Sequence, residues 1–110
     1  MTTTTATIES ANAATGPEGQ RYLGSTERVG MRLWKDEPAG ERKPKAKRAY
    51  DTVGYVIRGS AELSMDGRTV TLRAGDSWVV PADTEHTYRI VDNFTAVEAT
   101  SPPARALDAH

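Results

Sequence analysis

The chain has 110 residues, 14 basic and 15 acidic side chains, a net charge of −1 and no cysteine. Such a balance gives the molecule as a whole no electrostatic pull toward nucleic acid or an anionic membrane, so neither is expected as a partner. The missing thiols exclude disulfides, thiolate metal sites and a cysteine nucleophile, and make the cytoplasm the default location.

Residues 1–19 are rich in Thr, Ala, Ser and Gly, with Ile8 the large aliphatic side chain after Met1. They carry neither the basic start nor the apolar run of a secretory signal. So little apolar surface does not offset ordering entropy, and the reading is a mobile segment, with a short edge strand over 5–9 as the alternative. The ordered domain is expected over 20–100, followed by a polar tail over 101–110. Roughly 80 residues suffice for one core with little margin, so association with a second copy would help.

Within the domain, Val29, Met31 and Leu33 alternate with Gly30, Arg32 and Trp34, the period of a half-buried strand. Asp36 to Gly40 carries turn chemistry, and residues 41–48 hold five basic side chains that read as a solvated loop. Short strands are expected over 52–58, 61–65, 69–73, 77–80, 88–91 and 94–99. Asp66-Gly67 is the strongest hairpin signal, because both central residues of a type I′ turn need positive φ. No run suits an amphipathic helix of 10 residues or a membrane span of about 20. Short strands with regular turns make an all-β sandwich or barrel.

The segment 55–63, YVIRGSAEL, ending its turn at Gly59, and the segment 75–86, GDSWVVPADTEH, resemble the two sequence motifs of the cupins. The second has Gly75, then Pro81, then Asp83 where glycine is usual, and His86 at the histidine place. The resemblance implies a small antiparallel β-barrel of the jelly-roll, double-stranded β-helix type. It also implies a metal held by three histidines and a glutamate, and here the chain departs from the family. Thr52 stands at the glutamate place. Lys45 and Lys47, or Ala46 and Arg48, stand at the first two histidine places, and Ile90 replaces a motif asparagine. Of the four ligands only His86 is left.

A transition-metal site wants three or more side-chain ligands, and the chain has two histidines, His86 and the terminal His110. The expectation is therefore no cofactor. An atypical divalent metal on His86 with Glu98, Asp51 or Glu85 is the alternative. Thr52, Gly54 and Val56 share a strand face and are expected toward the cavity. With His86 and Thr52, the candidate ligand-binding residues are Tyr50, Tyr55, Trp78 and Tyr88, while Arg58 and Arg89 read as exposed. The basic loop 42–48 is placed at the barrel mouth.

Three functional readings follow. The first is metal-free binding of a small molecule in the barrel cavity. The second is an isomerase-, lyase- or dioxygenase-like enzyme using His86 as general acid or base with Tyr50, Tyr55 or Glu98. The third is a structural homodimer joined through Val29, Met31, Leu33 and Trp34.

Overall fold

The computed structural model describes residues 6–108, all of which fall in or around one antiparallel sheet. Its strands are β1 (Arg21–Ser25), β2 (Gly30–Glu37), β3 (Asp51–Met65), β4 (Arg68–Arg73), β5 (Ser77–Val80) and β6 (His86–Ser101), and a short helix α1 (Ala104–Asp108) follows. The order is β1-β2-β6-β3-β4, with β5 paired to β3 off that path. Among the described residues no pairing joins β1 to β4, so the barrel is left open. Among the described residues no helix is long and apolar enough to cross a membrane.

The two longest strands organise everything else. β3 and β6 pair from Asp51↔Ser101 to Met65↔His86. Each had been read as two short strands, split at Gly59-Ser60 and at Asp92-Asn93. Those turn-forming pairs lie opposite one another, where the register shifts between Val56 and Ala61, so the ribbon bends at bulges instead of ending. Gly59 permits the bend. Its φ is 82°, and a Cβ there would overlap the Asn93 carbonyl oxygen. One half of β3 carries β5 and the other half carries β4, which makes the ribbon the shared spine of both leaves of the jelly roll.

Turn chemistry acts locally as expected elsewhere. Asp66 and Gly67 have φ of 53° and 73°, as the β3–β4 hairpin requires. Asp83 has φ 60°, which explains why glycine suits that motif position.

Val56, Leu63, Leu72, Val80, Ile90 and Phe94 are central to the buried core. Thr52, Gly54 and Val56 do share the inner face of β3, while Val53, Tyr55 and Ile57 point outward and are exposed. On β2 the inner row is the polar one. Gly30 and Arg32 are buried, whereas Met31, like Val29 just before the strand, is exposed. Hydropathy misleads here because Arg32 sits opposite Glu98 in the β2–β6 register and meets it as a buried partner.

Both ends of the domain carry local structure among the described residues. No strand runs through residues 6–9, and Thr5 lies outside the described residues. Ser10–Asn12 forms a single 3-10 turn whose Ser10 carbonyl accepts from Arg21 Nη1 at 3.2 Å. Tyr22 N donates to Ala14 O at 2.9 Å, and Gln20 is fully buried. Backbone hydrogen bonds, which composition does not display, hold this lead-in against β1, a strand the sequence pattern had not signalled. In the tail, Thr100 Oγ1 accepts from Ala104 N at 2.7 Å, and Ala104 is buried.

Candidate functional site

The inner rows of β2, β3 and β6 do not fill the space between them. They enclose a cavity of about 500 Å³, within the range of small-molecule sites. Five of the seven aromatic residues in the chain line it: Trp34, Tyr50, Trp78, Tyr88 and Phe94. Trp78 reaches its place because it faces Gly54 across the β3–β5 ladder, and any Cβ at Gly54 would overlap its ring. Its Nε1 donates to the Tyr88 hydroxyl at 3.2 Å, and its ring centroid lies 6.4 Å from that of Phe94.

One wall is a charged pair. Arg32 Nη2 donates to Glu98 Oε2 at 2.7 Å, and Trp34 Nε1 donates to Glu98 Oε1. Arg32 Nη1 donates to the Tyr50 hydroxyl at 3.3 Å, and its guanidinium lies over the rings of Trp34 and Tyr50. With both oxygens engaged by donors, Glu98 acts as a fixed acceptor in the wall.

His86 opens β6 and lines the cavity. Its backbone pairs with Ala46 in both directions, at 2.8 and 2.9 Å, which ties the basic loop to β6. The ring stands edge-on to Tyr88 at 5.4 Å, and Nδ1 lies 2.9 Å from the Thr84 carbonyl. A carbonyl only accepts, so Nδ1 donates to it and Nε2 is the ring nitrogen left to meet a ligand. Tyr88 offers a donor. Burial first, and then the nearby Glu98 charge, push its phenol well above the ordinary 10.0, so it stays an O–H donor. Because the folded value is the raised one, the contribution of Tyr88 to stability is complete below about pH 10 and declines as pH climbs above it. Alkaline unfolding curves of wild type should show this decline above pH 10, and Tyr88→Phe should flatten it.

The structure brings together five of the six ligand-site candidates: His86, Thr52, Tyr50, Trp78 and Tyr88. Tyr55 is corrected. It belongs to the outward row of β3 and is half exposed, as the alternation with Thr52 demands. Val56, expected toward the cavity, belongs to the buried core and does not line it. Trp34, assigned to a dimer contact, lines the cavity instead, because it shares the inner row of β2 with Arg32. Lys43, Lys45, Ala46 and Arg48 of the basic loop line the cavity. Arg58 and Arg89 are exposed or partly exposed and pair with Asp36 and Glu62. Sequence reasoning missed Arg32 and Phe94. The available signal for Arg32 was a lone arginine between Met31 and Leu33, in step with Trp34.

The family's ligand places converge on this cavity, but their chemistry does not suit a divalent cation. Lys45, Ala46, Arg48 and Thr52 line the same cavity as His86, and cationic side chains repel a metal ion. Among the described residues no three His, Asp or Glu side chains are grouped to hold one. Asp51 Oδ1 accepts from Ala82 N at 2.8 Å away from the cavity, Glu85 is exposed near Lys45, and Glu98 is held by Arg32. His110 lies outside the described residues.

The model of the family described as Cupin domain matches residues 32–101. The chain is a cupin. Solved structures agree on the fold. An RmlC-like cupin from Shewanella frigidimarina superposes with a TM-score of 0.81 at 18% identity, covering 97% of this chain and 99% of that one. KdgF from Halomonas sp. gives 0.72 at 21% identity, covering 81% and 83%. The EutQ protein of Clostridium difficile gives 0.62 at 22%, covering 77% and 62%. No curated protein matches. At these identities the likeness carries the cupin fold and leaves the chemistry to the cavity itself.

Proposed function

We propose that this cupin binds a small, ring-bearing molecule in its barrel cavity without a metal. The observation that carries the reading is the concentration of five of seven aromatic residues around one cavity of about 500 Å³. Flat π-faces favour a flat, unsaturated ligand over a flexible aliphatic one. His86 Nε2 supplies an acceptor for a ligand O–H or N–H, and Tyr88 supplies a donor. Lys43, half buried in the lining and without a carboxylate within ion-pair distance among the described residues, attracts an anionic substituent at the mouth.

An enzyme using His86 as general base is the second reading. It is favoured by the Nδ1 contact with Thr84, which leaves Nε2 as the basic atom. In either reading Glu98 orders the wall through Arg32 and Trp34.

Thermal-shift measurements on the metal-free protein with a panel of hydroxylated and carboxylated aromatic compounds test the proposal. A true ligand at 100 times its Kd raises stability by about 2.7 kcal/mol. His86→Ala should weaken that ligand by about 1 kcal/mol, roughly fivefold in Kd, if one hydrogen bond is lost. A panel without any shift contradicts the reading, and so does a shift equal in wild type and Thr52→Phe, which fills the cavity.

A further inference from the structure

The cations of the basic loop that line the cavity are engaged differently. Lys45 Nζ lies 3.7 Å from Glu85, a carboxylate outside the lining. Arg48 Nη2 donates to Glu18 Oε1 at 3.2 Å, and Glu18 lines the same cavity. One of the chain's own carboxylates thus already sits on a cation of the lining. Glu18 comes from no strand of the sheet. It stands in a tight turn of the lead-in, where Gly16 N donates to Gln20 O at 2.7 Å and Glu18 N to Gln20 Oε1 at 2.9 Å. The Gln20 side chain is buried, and a Cβ at Gly16 would overlap both it and the Tyr22 hydroxyl. Arg48 is fixed at its backbone too, with its carbonyl accepting from Asp83 N at 2.7 Å. Both main chains are therefore held, and the freedom lies in the two side chains.

The pair between them is easily opened. Its side chains are 43% and 53% exposed, and at such exposure water screens most of the attraction. It joins one nitrogen to one oxygen, short of the two-bond fork that a guanidinium offers a free carboxylate. We infer, building on the ring-binding cavity proposed above, that its ligand is an aromatic carboxylate whose anionic group displaces Glu18 from Arg48. Tyr50, close behind Arg48 in the chain, lines the same cavity and presents a π-face beside the charge. Arg32 is unsuited to the exchange, because it is buried with Glu98 and opening that pair leaves a desolvated charge. Glu37, the remaining carboxylate of the lining, lies opposite Phe94, at the other end of the run that closes with the Ala46–His86 pairing. Glu18 is then a resident competitor that sets selectivity. An acid trades one carboxylate for another on Arg48, whereas a neutral ring gains nothing by opening the pair.

Tryptophan-fluorescence titrations of the full chain with hydroxybenzoates and hydroxynaphthoates, each against its uncharged amide, test the exchange. Wild type should bind the acids at least about fivefold more tightly than the amides, and salt should shrink that preference. Glu18→Gln, which keeps the side-chain size and gives up the charge, should widen the acid-over-amide ratio about fivefold further. Arg48→Gln should bring the ratio to about one, alone or combined with Glu18→Gln. Arg48→Lys serves if that variant melts early; it keeps the charge, loses the fork and should give an intermediate ratio. Acids and amides bound equally by wild type overturn the inference and leave the cavity reading standing. A preference that survives Arg48→Gln does the same and assigns the anion to Lys43. A ratio that Glu18→Gln leaves unchanged overturns the displacement. No binding of either class removes the cavity reading, and the exchange with it.

Discussion

Replacing Glu98 with alanine should destabilise the protein by about 3–5 kcal/mol, measured by urea unfolding. Arg32 and Glu98 are paired at 2.7 Å with side chains only 9% and 6% exposed. The variant takes the Glu98 carboxylate from the buried Arg32 guanidinium and the acceptor from Trp34 Nε1. The cost comes from a buried charge that has lost its counter-ion and does not measure the worth of the pair. Two desolvated ions roughly break even against apolar residues of similar volume. Hence Arg32→Met combined with Glu98→Leu should recover most of the lost stability. Equal losses in the single and double variants would mean that the pair contributes through geometry the apolar residues cannot replace.

Gly59→Ala should be of similar size, about 4 kcal/mol or more, in the same measurement. Two costs coincide there. Alanine at φ 82° pays for a backbone region that only glycine enters freely, about 1 kcal/mol. Its Cβ also collides with the Asn93 carbonyl, which is backbone on the partner strand and cannot rotate away. Gly75→Ala separates the two effects. Its φ is 92°, yet nothing lies within 4 Å of the added atom, so the loss should stay near 1 kcal/mol. If both variants lose the same amount, the β3–β6 bend accommodates the methyl group and the close approach is not a constraint.

Local chemistry was the readable part of this chain. The Asp66-Gly67 turn, the Gly75 and Pro81 punctuation, His86 and the parity of Thr52 and Gly54 each depend on a few neighbouring residues, and the structure places them where that chemistry points. Tyr55 could have been excluded by the same parity. What depends on register stayed hidden. Arg32 and Glu98 are 66 residues apart in sequence, and only the β2–β6 ladder turns two polar residues into one cavity wall. The inverted face of β2 follows from that pair, as does the exposure of Met31. Gly59-Ser60 and Asp92-Asn93 each had the composition of a turn, and only their mutual opposition made them bulges in continuous strands. The lead-in over residues 9–20 is held largely through its backbone groups, which every sequence possesses and none advertises.

The central claim is a ligand site made of aromatic faces and His86, independent of metal. Its most direct test is a tryptophan-fluorescence titration of chelator-treated protein with the ring-bearing compounds, since Trp34 and Trp78 both line the cavity. The account predicts a saturable response at one site per chain, unchanged by the chelator and weakened in His86→Ala. A response that requires an added divalent cation, or no saturable response from any compound, would contradict it.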